Sequence, residues 1–364
     1  MTVSTKLLVN RKNYRETEAV EQTLPQLEEG EVLTAIDKFG LTANNVSYAV
    51  SGDTIGYWQY YPSNDAVWGT VPVWGCASVI ESKCADIPVG ERLWGFFPMA
   101  SHAILQPGRI IQDQFIDSAE HRQKLPALYN TYRRTNFEPE ILQKMENERC
   151  LLFPLFATSF ILSDYLIDNA FFGAKQVLIG SVSSKTGFGL AQMLYNNEIV
   201  TAKIVGLTSA RNLDFVKSLG CCDDIILYGN ESDIDASIPA AYVDMSGDAR
   251  LRTALHNHLG SNMLESAMVG ASHWEQRGKL GELAGATPKF FFAPGQLAKR
   301  DEDWGPGAAM AKAMQASAEV ALIIKDDISI EWLRSTDQLA SIWGQLLDNK
   351  ISPNRGLMVS LLED

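Results

Sequence analysis

The stretch from Gln176 to Leu194 constrains the fold of this chain more than any other part of the sequence. Residues 177–179 form a short apolar run without alternation, which is typical of a parallel strand covered on both faces. A polar turn follows, and then a run with helical spacing. The sequence therefore predicts a strand, a tight turn and a helix. Unpaired N–H groups and the positive end of the helix dipole suit such a turn to a phosphate.

The turn departs from the common nucleotide-binding motifs. A dinucleotide fingerprint is G-x-G-x-x-G directly after the strand, whereas here a Ser-rich insert separates Gly180 from Gly187. No Gly-Lys-Ser/Thr triplet closes a P-loop. A plain strand-to-helix connection and an exposed lysine are the alternatives. The residues predicted to bind a cofactor here are Ser181, Ser183, Ser184, Lys185, Thr186 and Gly187.

Strand and helix patterns alternate on both sides of this stretch. A helix over 151–169 is predicted before the first strand, and the later elements follow the same alternation. The predicted strands are 202–208, 225–228, 241–245, 264–269 and 290–292, and the predicted helices are 212–219 and 249–259. Such alternation implies an α/β unit with a doubly wound parallel sheet.

The end of the second strand of this series indicates which nucleotide would bind. An Asp or Glu at this position would hold the ribose hydroxyls of NADH, but the sequence of residues 208–212 is Thr-Ser-Ala-Arg-Asn. Ser209 and Arg211 are suited to a 2′-phosphate, because arginine forms charge-assisted hydrogen bonds with phosphates. The sequence therefore predicts NADPH, and Tyr228 at the end of the next strand joins the predicted cofactor site.

The first 110 residues and the C-terminal tail predict a second, β-rich unit. Short apolar runs at 31–36, 71–80 and 92–97 predict strands, and residues 39–48 predict a turn followed by a short helix. Residues 111–150 predict a helical connection with solvated Arg133 and Arg134. A last strand at 356–361 is expected to return to this unit and make it discontinuous. The nearby aromatic residues, which suit either a core or an apolar cleft, are Trp58, Tyr60, Tyr61, Trp68 and Trp74.

Charge and cysteine content exclude several classes of function. The chain has 364 residues and a net charge of −13, which argues against a general nucleic-acid or anionic-membrane surface. No apolar run has the length of a membrane span, and no leader pattern begins the chain, so we expect a cytoplasmic protein. Five cysteines without C-x-x-C spacing indicate neither a disulfide framework nor a Cys-rich zinc lobe.

The order and spacing of five stretches resemble the medium-chain dehydrogenase/reductase superfamily. The similarity is to its zinc-independent branch, which includes quinone oxidoreductases and enoyl reductases. The stretches are 29–33 with 39–45, 89–95, 176–192, 205–209 with 217–220, and 337–361. More narrowly, residues 41–45 are similar to a branch known mainly as a domain of unknown function. The resemblance implies a Rossmann-type domain over 138–295 and a discontinuous GroES-like domain over 1–137 and 296–364.

The resemblance also implies a reaction without zinc. Zinc-dependent members carry a Cys after the first turn and a Gly-His-Glu triplet further on, whereas this chain has Thr42 after the turn and neither His nor Glu in residues 73–77. Cys76 and His102 would supply two ligands where a catalytic zinc takes three. We therefore expect no metal. His256, His258 and His273 are interpreted as helix or loop residues.

The implied activity is NADPH-dependent reduction of an α,β-unsaturated carbonyl, a quinone or a ketone. Thr42, Asn44 and Asn45 lie on the turn that the resemblance places near the nicotinamide, and Tyr48, a nearby tyrosine or water would protonate the product. Asn44 and Asn45 alternatively shape the turn itself. A small-molecule substrate and a homodimer are the implied partners. The competing hypothesis is a non-catalytic NADPH-binding sensor or scaffold, and a methyltransferase is a weaker third option.

Overall fold

The computed structural model describes residues 2–63, 65–269, 283–291 and 293–363. The chain forms two compact units. The first unit comprises Met1–Leu151, Ile330–Ile351 and Arg355–Asp364, and the second comprises Leu152–Ser329 and Ser352–Asn354. The predicted combination of an α/β unit with a discontinuous β-rich unit is confirmed.

The limits of the units differ from the predicted domain limits at 137/138 and 295/296. Residues 138–151 belong to the first unit, where Glu146 pairs with Lys38 at 2.7 Å and with Arg92 at 2.7 Å. Residues 296–329 belong to the second unit, where Arg300 pairs with Asp164 at 2.7 Å. These ion pairs join residues more than 50 positions apart, so a pattern read along the sequence does not reveal them.

The second unit is built on a six-stranded parallel sheet. Its strand order is β13-β12-β11-β14-β15-β16, which is the 3-2-1-4-5-6 order of doubly wound nucleotide-binding folds. The strands are β11 (Gln176–Gly180), β12 (Lys203–Thr208), β13 (Asp224–Leu227), β14 (Ala240–Asp244), β15 (Met263–Met268) and β16 (Lys289–Phe290). All five residues of β11 are buried, as its unbroken apolar run predicts. Phe292, the last residue of the predicted sixth strand, lies outside the described residues.

Helices connect and cover these strands. The helices of this unit are α5 (Phe153–Asp168), α6 (Lys185–Tyr195), α7 (Leu213–Leu219), α8 (Ala249–Leu259), α9 (Ala293–Trp304) and α10 (Ala308–Ile323). Successive strands are added on one side of β11 up to β13 and on its other side from β14 onward, so the strand order switches between the parallel neighbours β11 and β14. Ligands of such sheets bind at the carboxyl ends of the strands at this point. The Ser-rich turn follows β11 and therefore lies there.

The first unit contains two antiparallel arrangements. A small sheet has the order β2-β1-β4, and a larger one has the order β17-β18-β3-β5-β6-β10-β9-β8, with β7 also paired to β3. The strands are β1 (Val3–Asn10), β2 (Thr17–Thr23), β3 (Val32–Leu41), β4 (Trp68–Gly69), β5 (Pro72–Ser82), β6 (Arg92–Pro98), β7 (His102–Leu105), β8 (Pro107–Gly108), β9 (Gln114–Asp117), β10 (Thr131–Arg134), β17 (Ser329–Leu333) and β18 (Arg355–Val359). β18 pairs antiparallel with β3, so the tail returns to the first unit as predicted.

The helices of the first unit are short, except for the last of them, which has 12 residues. They are α1 (Ala43–Val50), α2 (Gly52–Ile55), α3 (Glu140–Gln143), α4 (Glu146–Leu151) and α11 (Thr336–Leu347). The predicted short helix after residue 42 is confirmed. Close backbone contact fixes β3 next to α4, since a Cβ at Gly40 would lie 2.4 Å from the Cys150 carbonyl oxygen. No helix among the described residues has the length and apolar character to cross a membrane.

The interpretation of residues 111–150 as a helical connection is wrong for the first part of that region. β9 and β10 form there and pair with each other. Arg134 is buried and its guanidinium pairs with Glu91 at 2.9 Å, while Arg133 pairs with Asp113 at 2.7 Å. A buried charge is tolerated when it is paired. The expectation of a solvated side chain therefore fails for Arg134, whose partner Glu91 lies on another part of the unit, while Arg133 is paired but 33% exposed.

Candidate functional site

The turn between β11 and α6 is held by its own polar groups. Ser181, the first residue after β11, has a φ of 54°, a left-handed conformation that residues with a Cβ rarely adopt. Its backbone N–H donates to the Tyr228 hydroxyl at 2.9 Å. Its carbonyl oxygen accepts from the Ser184 backbone N–H at 2.9 Å and from Ser184 Oγ at 2.7 Å. Ser181 is therefore fixed on both sides by hydrogen bonds.

Ser184 is the N-cap of α6. Its Oγ accepts from the Gly187 backbone N–H at 3.2 Å, which satisfies one of the donors at the helix start. Gly187 is required here, because a Cβ at this position would lie 2.5 Å from the Ser181 carbonyl oxygen. The backbone N–H groups of Lys185 and Thr186 lie in the first turn of α6, at the end of the helix where backbone donors point outward. These donors and the helix dipole favour an anion at this end of α6.

The hydroxyl of Ser183 joins the turn to the end of β12. Its Oγ accepts from Asn212 Nδ2 at 3.0 Å and from Thr208 Oγ1 at 3.3 Å. The side-chain hydroxyls of Ser183 and Ser184 thus form hydrogen bonds that stabilise the turn. The sequence predicts that both residues contact the cofactor. In the structure, both also stabilise the turn.

Lys185 is not the exposed lysine of the alternative interpretation. Its Nζ donates to the Pro353 carbonyl oxygen at 3.2 Å, within the short Ser352–Asn354 segment of the same unit. Burial lowers the pKa of its ammonium group to about 8. The group remains mostly protonated at neutral pH and supplies a positive charge at the start of α6.

The end of β12 presents a hydroxyl and a guanidinium. Ser209 Oγ is buried, and no hydrogen-bond partner for it exists in the part of the chain that the structure describes. Arg211 is exposed two residues further on. A buried hydroxyl without a partner is unusual and often indicates a site for a ligand or water. The residues present therefore fit an anionic group next to β12, where an NADH site would carry a carboxylate.

Asp244 is a functional candidate that sequence reasoning missed. It ends β14, lies opposite Gly180 in register and is fully buried. Its Oδ1 accepts from the backbone N–H groups of Ser246 and Gly247 at 3.0 and 2.9 Å, and its Oδ2 accepts from Arg252 at 3.0 Å. It therefore shapes the loop beside the Ser-rich turn. The signal in the sequence was an Asp at the end of an apolar run, followed by Ser and Gly two and three residues later.

Two of the residues predicted to be catalytic form the turn at the start of α1. Thr42 is the N-cap, and its Oγ1 accepts from the Asn44 backbone N–H at 3.3 Å. Asn45 Oδ1 accepts from the Thr42 backbone N–H at 2.8 Å, and Asn45 Nδ2 donates to the Pro72 carbonyl oxygen at 3.1 Å. Thr42 and Asn45 form a capping box, so their side chains are engaged in holding the helix.

Tyr48 differs from these residues in having a hydrogen to donate. Its hydroxyl oxygen accepts from Asn44 Nδ2 at 2.8 Å and from Trp74 Nε1 at 3.1 Å. No acceptor for its own hydrogen is found among the described residues. Burial raises the pKa of Tyr48 well above its ordinary value. The group is therefore a neutral phenol whose oxygen is held by two donors and whose O–H is oriented away from both.

An aromatic cluster surrounds Tyr48. The Tyr48 ring centroid lies 4.5 Å from that of Tyr57 and 5.3 Å from that of Phe96. Trp74, Trp58 and Tyr60 are buried, whereas Tyr61 and Trp68 are half-buried. Between the two interpretations of the aromatic segment, the burial of Trp58, Tyr60 and Trp74 favours a core.

Within the described ranges, no group of three or more His, Cys, Asp and Glu side chains could hold a metal ion. Cys76 Sγ lies 3.8 Å from Cys150 Sγ, and His102 Nδ1 lies 2.9 Å from Ser101 Oγ. His256 contacts the Ala284 carbonyl oxygen at 2.7 Å, and His258 contacts the Ile234 carbonyl oxygen at 2.7 Å. These contacts give each side chain a structural partner. His273 lies outside the described residues.

Comparison with solved structures shows the fold. CurA from Vibrio vulnificus, solved in complex with NADPH, is 11% identical with a TM-score of 0.62, and the match covers 99% of this chain and 100% of CurA. A mutant form of the enoyl thioester reductase of Candida tropicalis is 12% identical with a TM-score of 0.58, over 99% and 100% of the two chains. The quinone oxidoreductase of Coxiella burnetii is 14% identical with a TM-score of 0.52, again over 99% and 100%.

The strand order, the discontinuous β-rich unit and these similarities define the medium-chain dehydrogenase/reductase fold, which joins a Rossmann-type domain to a GroES-like domain. The chain belongs to the family described as "Protein of unknown function (DUF2855)", whose profile matches residues 39–352. No protein of curated function matches the sequence. The predicted resemblance is thus confirmed for the fold and for the family.

Proposed function

We propose that this protein is an NADPH-dependent, zinc-independent oxidoreductase that reduces an α,β-unsaturated carbonyl, a quinone or a ketone. The observation that carries the proposal is the buried Ser209 Oγ without a hydrogen-bond partner among the described residues, next to the exposed Arg211. A 2′-phosphate would satisfy the hydroxyl and pair with the guanidinium. Solved structures of the same fold with bound NADPH, such as CurA, support this choice of cofactor.

The residues of the second unit would hold the cofactor by its phosphates. The backbone N–H groups of Lys185 and Thr186 and the dipole of α6 would bind the pyrophosphate, and the ammonium of Lys185 would add a positive charge. Ser209 and Arg211 would bind the 2′-phosphate. When bound, NADPH supplies the hydride.

Tyr48 would hold the substrate oxygen. Negative charge develops on that oxygen as a carbonyl or conjugated carbonyl is reduced, and a hydrogen-bond donor aimed at it lowers the barrier. The Tyr48 O–H fits this role because Asn44 and Trp74 already fill the acceptor positions of its oxygen. Its raised pKa keeps the phenol protonated at neutral pH. Tyr48 or water would then deliver the proton that completes the product.

Calorimetry on the pure protein tests the cofactor. We expect NADPH to bind more tightly than NADH, and the absence of NADPH binding would overturn the proposal. Arg211→Ala should raise the NADPH dissociation constant about tenfold or more with little change for NADH, because one charged hydrogen-bond partner is lost. Lys217→Ala, which removes an exposed charge from α7, is the matched control and should change neither constant.

The alternative is a non-catalytic NADPH-binding sensor or scaffold. The capping box favours it, because Thr42 and Asn45 are engaged in structural hydrogen bonds. NADPH oxidation measured against enals, quinones and ketones distinguishes the two functions, since binding without turnover would favour the sensor. We also propose a cytoplasmic location, a small-molecule substrate rather than a nucleic acid, and a homodimer, which sedimentation would test.

A further inference from the structure

We propose that Tyr228 is a positioning residue, which holds Ser181 in the left-handed conformation that the phosphate turn requires. It would act on cofactor binding through the turn, and not as a direct contact of the nucleotide. The inference rests on the proposed function for the identity of its ligand. The hydrogen bond from the Ser181 backbone N–H to the Tyr228 hydroxyl, 2.9 Å long, is the observation that carries it.

The turn needs such a support because of its sequence. A fingerprint turn places glycine where the backbone bends tightly after the strand, and glycine adopts positive φ without steric cost. Here the first residue after β11 is Ser181, with a φ of 54°. A residue with a Cβ is disfavoured in this region, so contacts from outside the turn must stabilise it.

The position of Tyr228 suits it for this role. Its own backbone N–H donates to the Thr208 carbonyl oxygen at 2.9 Å, which fixes it at the carboxyl end of β13 beside the end of β12. Because β12 lies between β13 and β11 in the sheet, the tyrosine side chain spans the end of β12 to reach the residue after β11. A shorter side chain at this position would not cover that distance.

Fixing Ser181 determines the start of α6. The Ser181 carbonyl oxygen accepts from the backbone N–H and from the Oγ of Ser184, and Ser184 is the N-cap. The orientation of the Ser181 carbonyl group therefore fixes Ser184, and Ser184 fixes the direction of the backbone N–H groups of Lys185 and Thr186. A turn that relaxes at Ser181 would misalign the donors that a pyrophosphate needs.

The test is a set of variants that separates positioning from direct contact. Tyr228→Phe should raise the NADPH dissociation constant about fivefold, the typical effect of one lost hydrogen bond. Ser181→Gly alone gives the reference affinity with which the double variant is compared. In the double variant, Ser181→Gly should restore most of the lost affinity, because glycine needs no support at positive φ. Ser181→Ala is the matched control, since it removes the hydroxyl but keeps the Cβ and should not rescue.

Two results would overturn the inference. One is unchanged NADPH affinity in Tyr228→Phe, and the other is a double variant that binds as weakly as Tyr228→Phe, which would indicate direct contact with the nucleotide. Thermal unfolding of the same variants without NADPH should show the same pattern, with Ser181→Gly recovering the stability lost in Tyr228→Phe. If the wild-type protein does not bind NADPH, the proposed function fails, but the recovery in unfolding still decides the role of Tyr228.

Hydrogen exchange provides a measurement that does not depend on any variant folding. In the wild-type protein without NADPH, the Ser181 amide should exchange slowly, because its hydrogen is bonded to the Tyr228 hydroxyl. Exchange of this amide at the rate of an exposed loop would contradict the proposal.

Discussion

Two polar turns of this protein are capped in similar ways at the starts of α1 and α6, but they present different hydrogen-bonding groups. Thr42 caps α1 and Ser184 caps α6, and each follows a strand with buried residues. At α1, Asn45 completes the cap with its side chain, and the remaining hydrogen-bond donor is the Tyr48 hydroxyl. At α6, the third helical residue is Gly187, so no side chain completes a capping box, and the Ser184 hydroxyl accepts from the Gly187 backbone N–H.

The two turns differ at the third residue of the helix. In α1 this residue is Asn45, whose amide reaches back to the cap. In α6 it is Gly187, which has no side chain to reach back and which allows the backbone to approach closely. The α6 turn therefore lets its backbone approach an anion closely, whereas α1 offers the Tyr48 hydroxyl as a hydrogen-bond donor.

The largest expected effect would come from removing that single donor. Tyr48→Phe should lower kcat about a hundredfold, because one hydrogen bond to a developing negative charge is lost, and it should leave the NADPH dissociation constant unchanged. Tyr60→Phe is the control, since the one hydrogen bond of the Tyr60 hydroxyl within the described ranges goes to the Pro126 carbonyl oxygen at 3.4 Å. Steady-state kinetics with any active substrate checks this prediction. Equal losses in the two variants would contradict the assignment of Tyr48.

Substitution of the two N-cap residues should have a smaller effect and compares the two turns directly. Thr42→Ala and Ser184→Ala should each lower the free energy of unfolding by about 1 kcal/mol, as the loss of an N-cap usually does. Only Ser184→Ala should weaken NADPH binding, because its Oγ also holds Ser181. Chemical denaturation and calorimetry measure both quantities. If Thr42→Ala instead abolished turnover with unchanged stability, Thr42 would be catalytic as the resemblance implies.

The smallest effect concerns the pH dependence of the anion site. The pKa of Lys185 is lowered to about 8, so its positive charge is lost as the pH rises through that value. NADPH affinity should therefore decline between pH 7 and pH 9, and Lys185→Met should flatten the decline. Calorimetry at several pH values measures it, with Lys217→Ala as the control. A wild-type affinity that stays constant over this range would contradict a role for Lys185.

The Lys185 ammonium group also makes the free energy of unfolding depend on pH. Its pKa in the folded protein lies below the ordinary value of 10.5, so between about pH 8 and pH 10.5 the unfolded chain binds more protons than the folded one. The contribution of Lys185 to the free energy of unfolding therefore becomes more favourable as the pH rises through this window. Lys185→Met should remove that slope.

Much of the fold could be predicted from patterns along the sequence. The unbroken apolar run of β11, the alternation of strands and helices after it, and the returning β18 all follow from local periodicity and element order. The prediction failed at Arg134, because its partner Glu91 lies 43 positions away and no local pattern indicates the pair. The predicted domain limits also differ from the limits of the two compact units, in which α4 and α9 pair with residues far away in the sequence.

The sequence predicts which residues make up the candidate site, but it does not predict the role of each residue. The sequence by itself determined that hydroxyl, amide and lysine side chains would gather at the starts of α1 and α6, because helix caps and turns select these residue types locally. Only the tertiary structure decided which of these groups are engaged. Tyr228 reaches Ser181 across 47 positions and Trp74 reaches Tyr48 across 26, so their hydrogen bonds exist only once the strands are packed.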